Sequence, residues 1–120
     1  MDPADVLYQG IRQSTVDVAA IARATGYKIE NIAKAKQHLF LDVHLLDRYV
    51  ELGVPAILSR FHSDIGIANA CFRLQAGTHG SADLPLLCHE TAEAWYMRNV
   101  ARGYSAAHNH VQRRFPAPEL

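Results

Sequence analysis

In the stretch LCHETAEAWYM, residues 87–97, His89, Glu90 and Glu93 are the ionisable side chains ahead of Tyr96 in a segment that is otherwise apolar or small. No Lys or Arg accompanies them between residues 84 and 97, whereas a solvated helix face normally mixes both signs of charge. His89 and Glu93 are four apart and so share one helix face, with their side chains about 5–6 Å apart at the base. Such a pair can hold a metal ion, or the carboxylate can orient the imidazole. The pattern HExxE lacks one ligand of the HExxH found in zinc proteases, so a zinc-dependent hydrolase would need His108 or His110 from the following segment as well.

Two further segments carry groups of the same kind. In YSAAHNH, Tyr104 and His108 lie four apart, and a hairpin between the last two helices would return His108 toward His89. KQHLFLDVHLLDRY holds His38 and His44, with Asp47 three residues on from His44, where it can accept from an imidazole nitrogen and fix the tautomer. SRFHSD then brings Arg60, His62 and Asp64. Seven histidines, most of them beside carboxylates or arginines, fit general acid/base work on a phosphodiester. One imidazole would deprotonate a 2′-hydroxyl and a second would protonate the leaving oxygen. An arginine would stabilise the pentacoordinate charge, and no metal or other cofactor would be required.

Composition narrows the classes. A chain of 120 residues can bury one core without staples. Hydrophobic content of 49% with 20% charged residues is that of an ordinary globular domain, and no apolar run approaches the roughly 20 residues that span a bilayer. MDPADVLYQG has no basic region followed by an apolar stretch, so no secretory signal is expected in the chain as given, and any export would depend on a larger parent protein. Cys71 and Cys88 sit in apolar contexts without metal-type spacing and read as free thiols. Zero net charge argues against holding nucleic acid by bulk electrostatics. The balance is uneven, however: residues 1–93 carry eight Lys and Arg against eleven Asp and Glu, while Arg98, Arg102, Arg113 and Arg114 face only Glu119 in the remainder. Arginines so placed suit phosphate or a helix C-terminus.

The elements that must position these groups are mostly helical. Periodicity and punctuation predict an all-α, single compact domain of about five helices over residues 14–118, preceded by an extension or linker over residues 1–13. The helices are expected at 15–24, with Ser14 and Asp17 in capping-box relation and Gly26 as a stop; at 29–41, with a possible continuation through Val43, Leu45 and Leu46; at 65–75; at 84–101, capped by Asp83; and from Ser105 to a point before Pro116. Residues 48–64 form the longest irregular stretch, the natural place for exposed functional groups.

The order QHLF, HLLDR, RFHSDIGIANACFRLQAG, DLPLLCHETAEAWY and GYSAAHN resembles the C-terminal toxin domains of bacterial polymorphic toxins, and the resemblance covers roughly residues 18–118. These domains end wall-associated protein A, Rhs-type proteins and contact-dependent inhibition systems. The resemblance implies a nuclease toxin delivered to competing bacteria as part of a larger secreted or surface protein. It would act in the target-cell cytoplasm on RNA, with tRNA the substrate suggested, and be neutralised by a cognate immunity protein. His38, His44, Arg60, Asp64, His89, Glu90, Glu93, Tyr104 and His108 match recurrent polar positions of that pattern. On this basis His89 is expected as general acid or base, oriented by Glu93 beside Glu90, with His108 or His44 as partner. Arg60 is expected as a phosphate clamp, and His38, Tyr104, Arg98 and Asp64 as substrate contacts.

A regulator remains the competing class. Ala22, Gly26 and Ile32 have the spacing of a helix-turn-helix within residues 18–40, which would turn Lys28, Asn31, Lys34 and Gln37 toward DNA. Lys28, Lys34 and Lys36 make a thin phosphate footprint for that role, and a DNA reader has no need of the His-Glu helix.

Overall fold

The structure, a computed structural model, describes residues 2–118. Among them six α-helices and one two-stranded ribbon build an essentially all-α domain. Helix α1 spans Pro3–Gln13, α2 Asp17–Thr25, α3 Ile29–Lys36, α4 Ile65–Ala76, α5 Asp83–Asn99 and α6 Tyr104–Gln112.

Residues read from the sequence as a linker form α1, a structural part of the domain. Asp2 caps it by accepting from the Ala4 N–H at 2.8 Å, Pro3 occupies the first turn, and Ala4, Tyr8 and Ile11 bury one face at i, i+4 and i+7. Tyr8 meets Phe40 edge to face at 4.6 Å between centroids. With Leu39 and Ala68 these residues form one core cluster. A second cluster joins Ile21, Ile32, Ala35, Leu74 and Leu87 across α2, α3, α4 and α5. The expected capping box at Ser14 is not formed. Ser14 closes α1, and Asp17 lies inside the first turn of α2, buried, where it binds Lys36 at 2.9 Å.

The helix predicted over 29–41 changes pitch. After α3 the chain continues as a π-turn, Gln37–Leu41, and then leaves the helix altogether: Val43 to Leu46 do not extend it, and His44–Leu46 form strand β1. A π-turn frees backbone carbonyls that an α-helix would have paired. Three side chains from distant elements or from beyond the turn take them: Arg12 donates to the Phe40 carbonyl at 2.5 Å, His44 Nε2 to that of His38 at 2.7 Å, and Arg60 to that of Leu41 at 3.2 Å.

β1 pairs antiparallel with β2, Ile57–Ser59, in the register His44 to Ser59 and Leu46 to Ile57. Their connection carries a 3-10 turn, Val50–Leu52, closed by Gly53 at φ 86°, a left-handed conformation that favours glycine. The stretch expected to be irregular thus contains a strand and a turn of its own. Asp64 caps α4 by accepting from Ile67 N–H, and Gly77 ends it at φ 72°. Asp83 is not the cap of α5 but its first residue: it accepts from Gly80 N–H and grips Arg73 in two 2.8 Å bonds, tying the end of α4 to the start of α5. Asp47 does the same work for α6, accepting from Ser105 N–H at 2.9 Å across 58 residues.

Candidate functional site

The buried stripe of α5 runs Leu86, Leu87, His89, Glu90, Glu93 and Ala94, so the three ionisable residues point inward instead of to solvent. Glu93 is 1% exposed and is the hub. His38 Nε2, brought in by the π-turn, donates to Oε1 at 2.8 Å; His89 Nε2 and His108 Nδ1 donate to Oε2 at 3.1 and 3.2 Å. The Tyr104 hydroxyl lies 3.3 Å from His108 Nδ1. Asp47 positions that pair by capping α6, and α6 returns along α5 as the hairpin reading required.

Three imidazoles around one carboxylate fix its charge. Burial alone would raise the Glu93 pKa, but the bonds from His38 and His89 and the positive charge they carry bring it down to about 2. Both ring nitrogens of His89 face acceptors, Nδ1 the Phe115 carbonyl at 2.7 Å and Nε2 the Glu93 carboxylate. Only the imidazolium satisfies both. Burial opposes that cation, yet the bonds to Glu93 and Phe115 and the nearby acidic charges hold the pKa of His89 above its ordinary value.

Glu90 is the opposite case. Burial first, and then the charge of Glu93, push its carboxyl up to about 8. Its Oε2 is buried without a hydrogen-bond partner, 3.6 Å from His38 Nε2. A buried, unpartnered carboxyl oxygen is costly, and Glu90 is among the residues that line an open cleft. The cleft has a volume of about 610 Å³, and Glu90, Glu93 and Tyr104 are among its lining residues. Its walls are Tyr8, Leu39, Leu46, Phe61 and Ile67, and Arg48, His62 and Asp64 add polar groups. Burial and then the charges of Glu93 and Glu90 raise the Tyr104 phenol to about 12, so it stays a proton donor.

Of the side chains singled out by spacing, His89, Glu90, Glu93, His108, Tyr104 and His38 converge. His38 is buried, donates to Glu93 through Nε2, and borders a second cavity. His44 stands behind the cluster: its ring lies 4.6 Å from that of His38 and stacks on Phe61 at 4.4 Å, and burial lowers its pKa. Its Nε2 donates to the His38 carbonyl, and Asp47, expected to orient it, is occupied at α6. Arg60 is exposed, holds the Leu41 carbonyl through Nε, and with Arg12 lines a cavity of about 530 Å³ that shares Phe61 and His62 with the cleft. Arg98 is also exposed and shares a cavity of about 440 Å³ with His38, His44 and Arg102. Asp64 caps α4 and lines the cleft. His110 stacks on Tyr96 away from the cluster.

Spacing did not single out Phe61, which packs His38, His44 and Tyr104 at 4.4–5.3 Å, nor the Phe115 carbonyl that holds His89. Arg48, a cleft-lining cation, was visible only as a neighbour of His44. No local pattern marks any of the three. The helix-turn-helix corner does form, with Gly26 at φ 75° and Lys28, Asn31, Lys34 and Gln37 exposed along α3 and its continuation. Cys71 and Cys88 are free and half-buried. No helix among the described residues is long and apolar enough to cross a membrane. No family model, curated protein or solved structure matches the chain.

Proposed function

We propose that this chain is a hydrolytic toxin domain that breaks phosphodiester bonds of RNA, tRNA above all, at the Glu93 cluster. The carrying observation is that Glu90, which lines an open cleft, keeps a buried oxygen without a partner beside a carboxylate that gathers three imidazoles. Glu90, with a pKa raised to about 8, is suited to move a proton near neutral pH. It accepts the proton of the attacking hydroxyl as the oxygen–phosphorus bond forms, and returns it to the departing oxygen as the second bond breaks. The imidazolium of His89, fixed by Glu93 and Phe115, supplies positive charge close to where negative charge accumulates. His89 is thus an electrostatic and positioning group, since both its nitrogens are engaged.

The RNA substrate, the delivery in a larger secreted or surface protein, the cytoplasmic target and the immunity partner follow from the resemblance to polymorphic toxin domains. Arg48 at the cleft gives phosphates a place to bind, and Arg98 and Arg102 line a further cavity. Purified protein incubated with total RNA and read on a denaturing gel tests the proposal. Discrete tRNA fragments are expected, reduced at least ~100-fold in Glu90→Gln; intact RNA with the folded wild-type protein overturns it.

The apolar walls favour a second reading, a hydrolase of peptide bonds, because Tyr8, Leu39, Leu46, Phe61 and Ile67 suit an apolar side chain better than a ribose-phosphate chain. Cleavage of a mixed peptide library with RNA left whole would select it.

A further inference from the structure

We propose that His89, Glu93 and His108 bind one divalent cation, Zn²⁺, and that Glu90 is the base for the water that cation holds. His89 and Glu93 come from one face of α5 and His108 from α6, and their three ligand atoms lie within 4.8 Å of one another. The two measured edges are 3.1 Å, His89 Nε2 to Glu93 Oε2, and 3.2 Å, His108 Nδ1 to the same oxygen. A tetrahedral Zn²⁺ with bonds of about 2.0–2.2 Å places its ligand atoms roughly 3.3–3.6 Å apart, so these two edges need open by only a few tenths of an ångström, and the third lies within 4.8 Å. Two imidazoles and one carboxylate form a donor set suited to catalytic zinc, with the fourth position left for water.

The groups outside that triad are those a ligand shell requires. The ion takes the place of the Nε2 proton, so its charge replaces that of the metal-free imidazolium; His89 then donates its remaining ring N–H to the Phe115 carbonyl at 2.7 Å, which fixes the neutral tautomer that leaves Nε2 for the metal. His38 donates to Glu93 Oε1 at 2.8 Å and so turns Oε2 toward the ion. Glu90 Oε2, buried and without a donor, belongs to a group of carboxyl and imidazole atoms within 4.8 Å that includes Glu93. A metal-held water supplies the donor it lacks.

Charge selects one ion over two. His38, Glu90 and Glu93 also form a candidate ligand group, so Glu93 could bridge a pair. One Zn²⁺ neutralises the two buried carboxylates, whereas two would leave a net +2 in an apolar surround. The hydrolytic step then runs with one proton: the held water passes it to Glu90, the resulting hydroxide attacks, and Glu90 delivers the proton to the leaving atom. Only the role of Glu90 rests on the proposed hydrolytic function; the cation site stands on its own geometry.

Metal-freed full-length protein titrated with Zn²⁺ by calorimetry tests this, with Co²⁺ substitution reporting geometry through the visible absorption of a tetrahedral site. One equivalent per chain is expected. Affinity should fall at least ~100-fold in His89→Ala and His108→Ala and ~10–100-fold in His38→Ala. Glu90→Gln should still bind one equivalent while losing turnover. If an alanine variant fails to fold, Glu93→Gln and His108→Asn serve in its place, checked by circular dichroism. No uptake, or two equivalents, overturns the proposal. RNA cleavage that survives exhaustive chelation overturns the cation and leaves the nuclease; one bound equivalent without cleavage of RNA does the reverse.

Discussion

Replacing Glu90 by Gln should make the protein more stable above pH 4.5, by an amount that grows until about pH 8. The carboxyl is ordinary in the unfolded chain, at 4.5, and is pushed to about 8 in the fold by burial and by the charge of Glu93. Between those pH values the folded protein keeps a proton that the unfolded chain has released, so stability falls as pH rises through this window. Below pH 4.5 both states hold the proton and nothing is lost; above pH 8 the whole penalty is present. At about 1.4 kcal/mol per pKa unit the span from 4.5 to about 8 is worth on the order of 5 kcal/mol. Water drawn in beside the ionised group reduces this, and a gain of ~2 kcal/mol or more is expected at pH 9. Gln keeps the shape and cannot ionise. Urea unfolding of both proteins in chelator at pH 4.5, 6, 7.5 and 9 reads the difference, and with a slope of ~1–3 kcal/mol/M the midpoint of Glu90→Gln should move up by ~1 M at pH 9. A difference independent of pH, or a variant less stable than wild type at pH 9, would refute the burial of an unpartnered carboxyl. Added Zn²⁺ should shrink the gap, because a cation beside Glu90 favours its ionised form.

Ile11→Ala should cost ~2–5 kcal/mol in urea unfolding, since α1 is core and not a leader to it; an unchanged midpoint would return residues 1–13 to the status of a linker. Asp47→Ala should lower stability by ~1 kcal/mol by uncapping α6 and should weaken cleavage by loosening His108. Gly103→Ala should reproduce that phenotype, because its Cβ would stand 2.5 Å from Asp47 Oδ2; a silent Gly103→Ala would show that the cap is dispensable. Arg48→Ala should raise KM for RNA several-fold while Arg60→Ala leaves kcat and KM near wild type, since Arg48 lines the cleft and Arg60 is committed to the Leu41 carbonyl; the reverse order, measured on tRNA, would restore Arg60 as the clamp.

Helices α2, α4, α5 and α6 were legible within a few residues because local chemistry marks them. Gly26 and Gly77 adopt positive φ where a stop was expected, and the apolar spacing of residues 65–75 and 84–97 is helical. α1 was missed because its fully buried residues are only Ala4, Tyr8 and Ile11, with Leu7 half-buried beside them and Val6 turned outward, and because Gly10 falls inside it. The caps were misread for a different reason. Asp17, Asp47 and Asp83 all look like local partners in the sequence, yet Asp17 binds Lys36, Asp47 reaches Ser105, and Asp83 grips Arg73 as well as the nearby Gly80 N–H. Spacing along one chain cannot distinguish a local hydrogen bond from one that tertiary packing offers.

The site divides along the same line. His89 with Glu93, and Tyr104 with His108, are pairs at i and i+4, which any helix brings together, and the short turn at Gly103 returns α6 to α5. His38 joins them only because the chain leaves α-helical pitch at Gln37, and a π-turn has no pattern in QHLFL that apolar spacing reveals. That turn settles the roles of the residues around it. Its freed carbonyls draw in Arg12, His44 and Arg60, three groups whose types suggest catalysis or phosphate binding. They build the scaffold that aims His38 at Glu93, and Glu90, a cleft-lining residue whose buried oxygen has no partner, is the group for which chemistry remains. A residue type states what a side chain can do; the count of its unfilled partners decides whether it is free to do it.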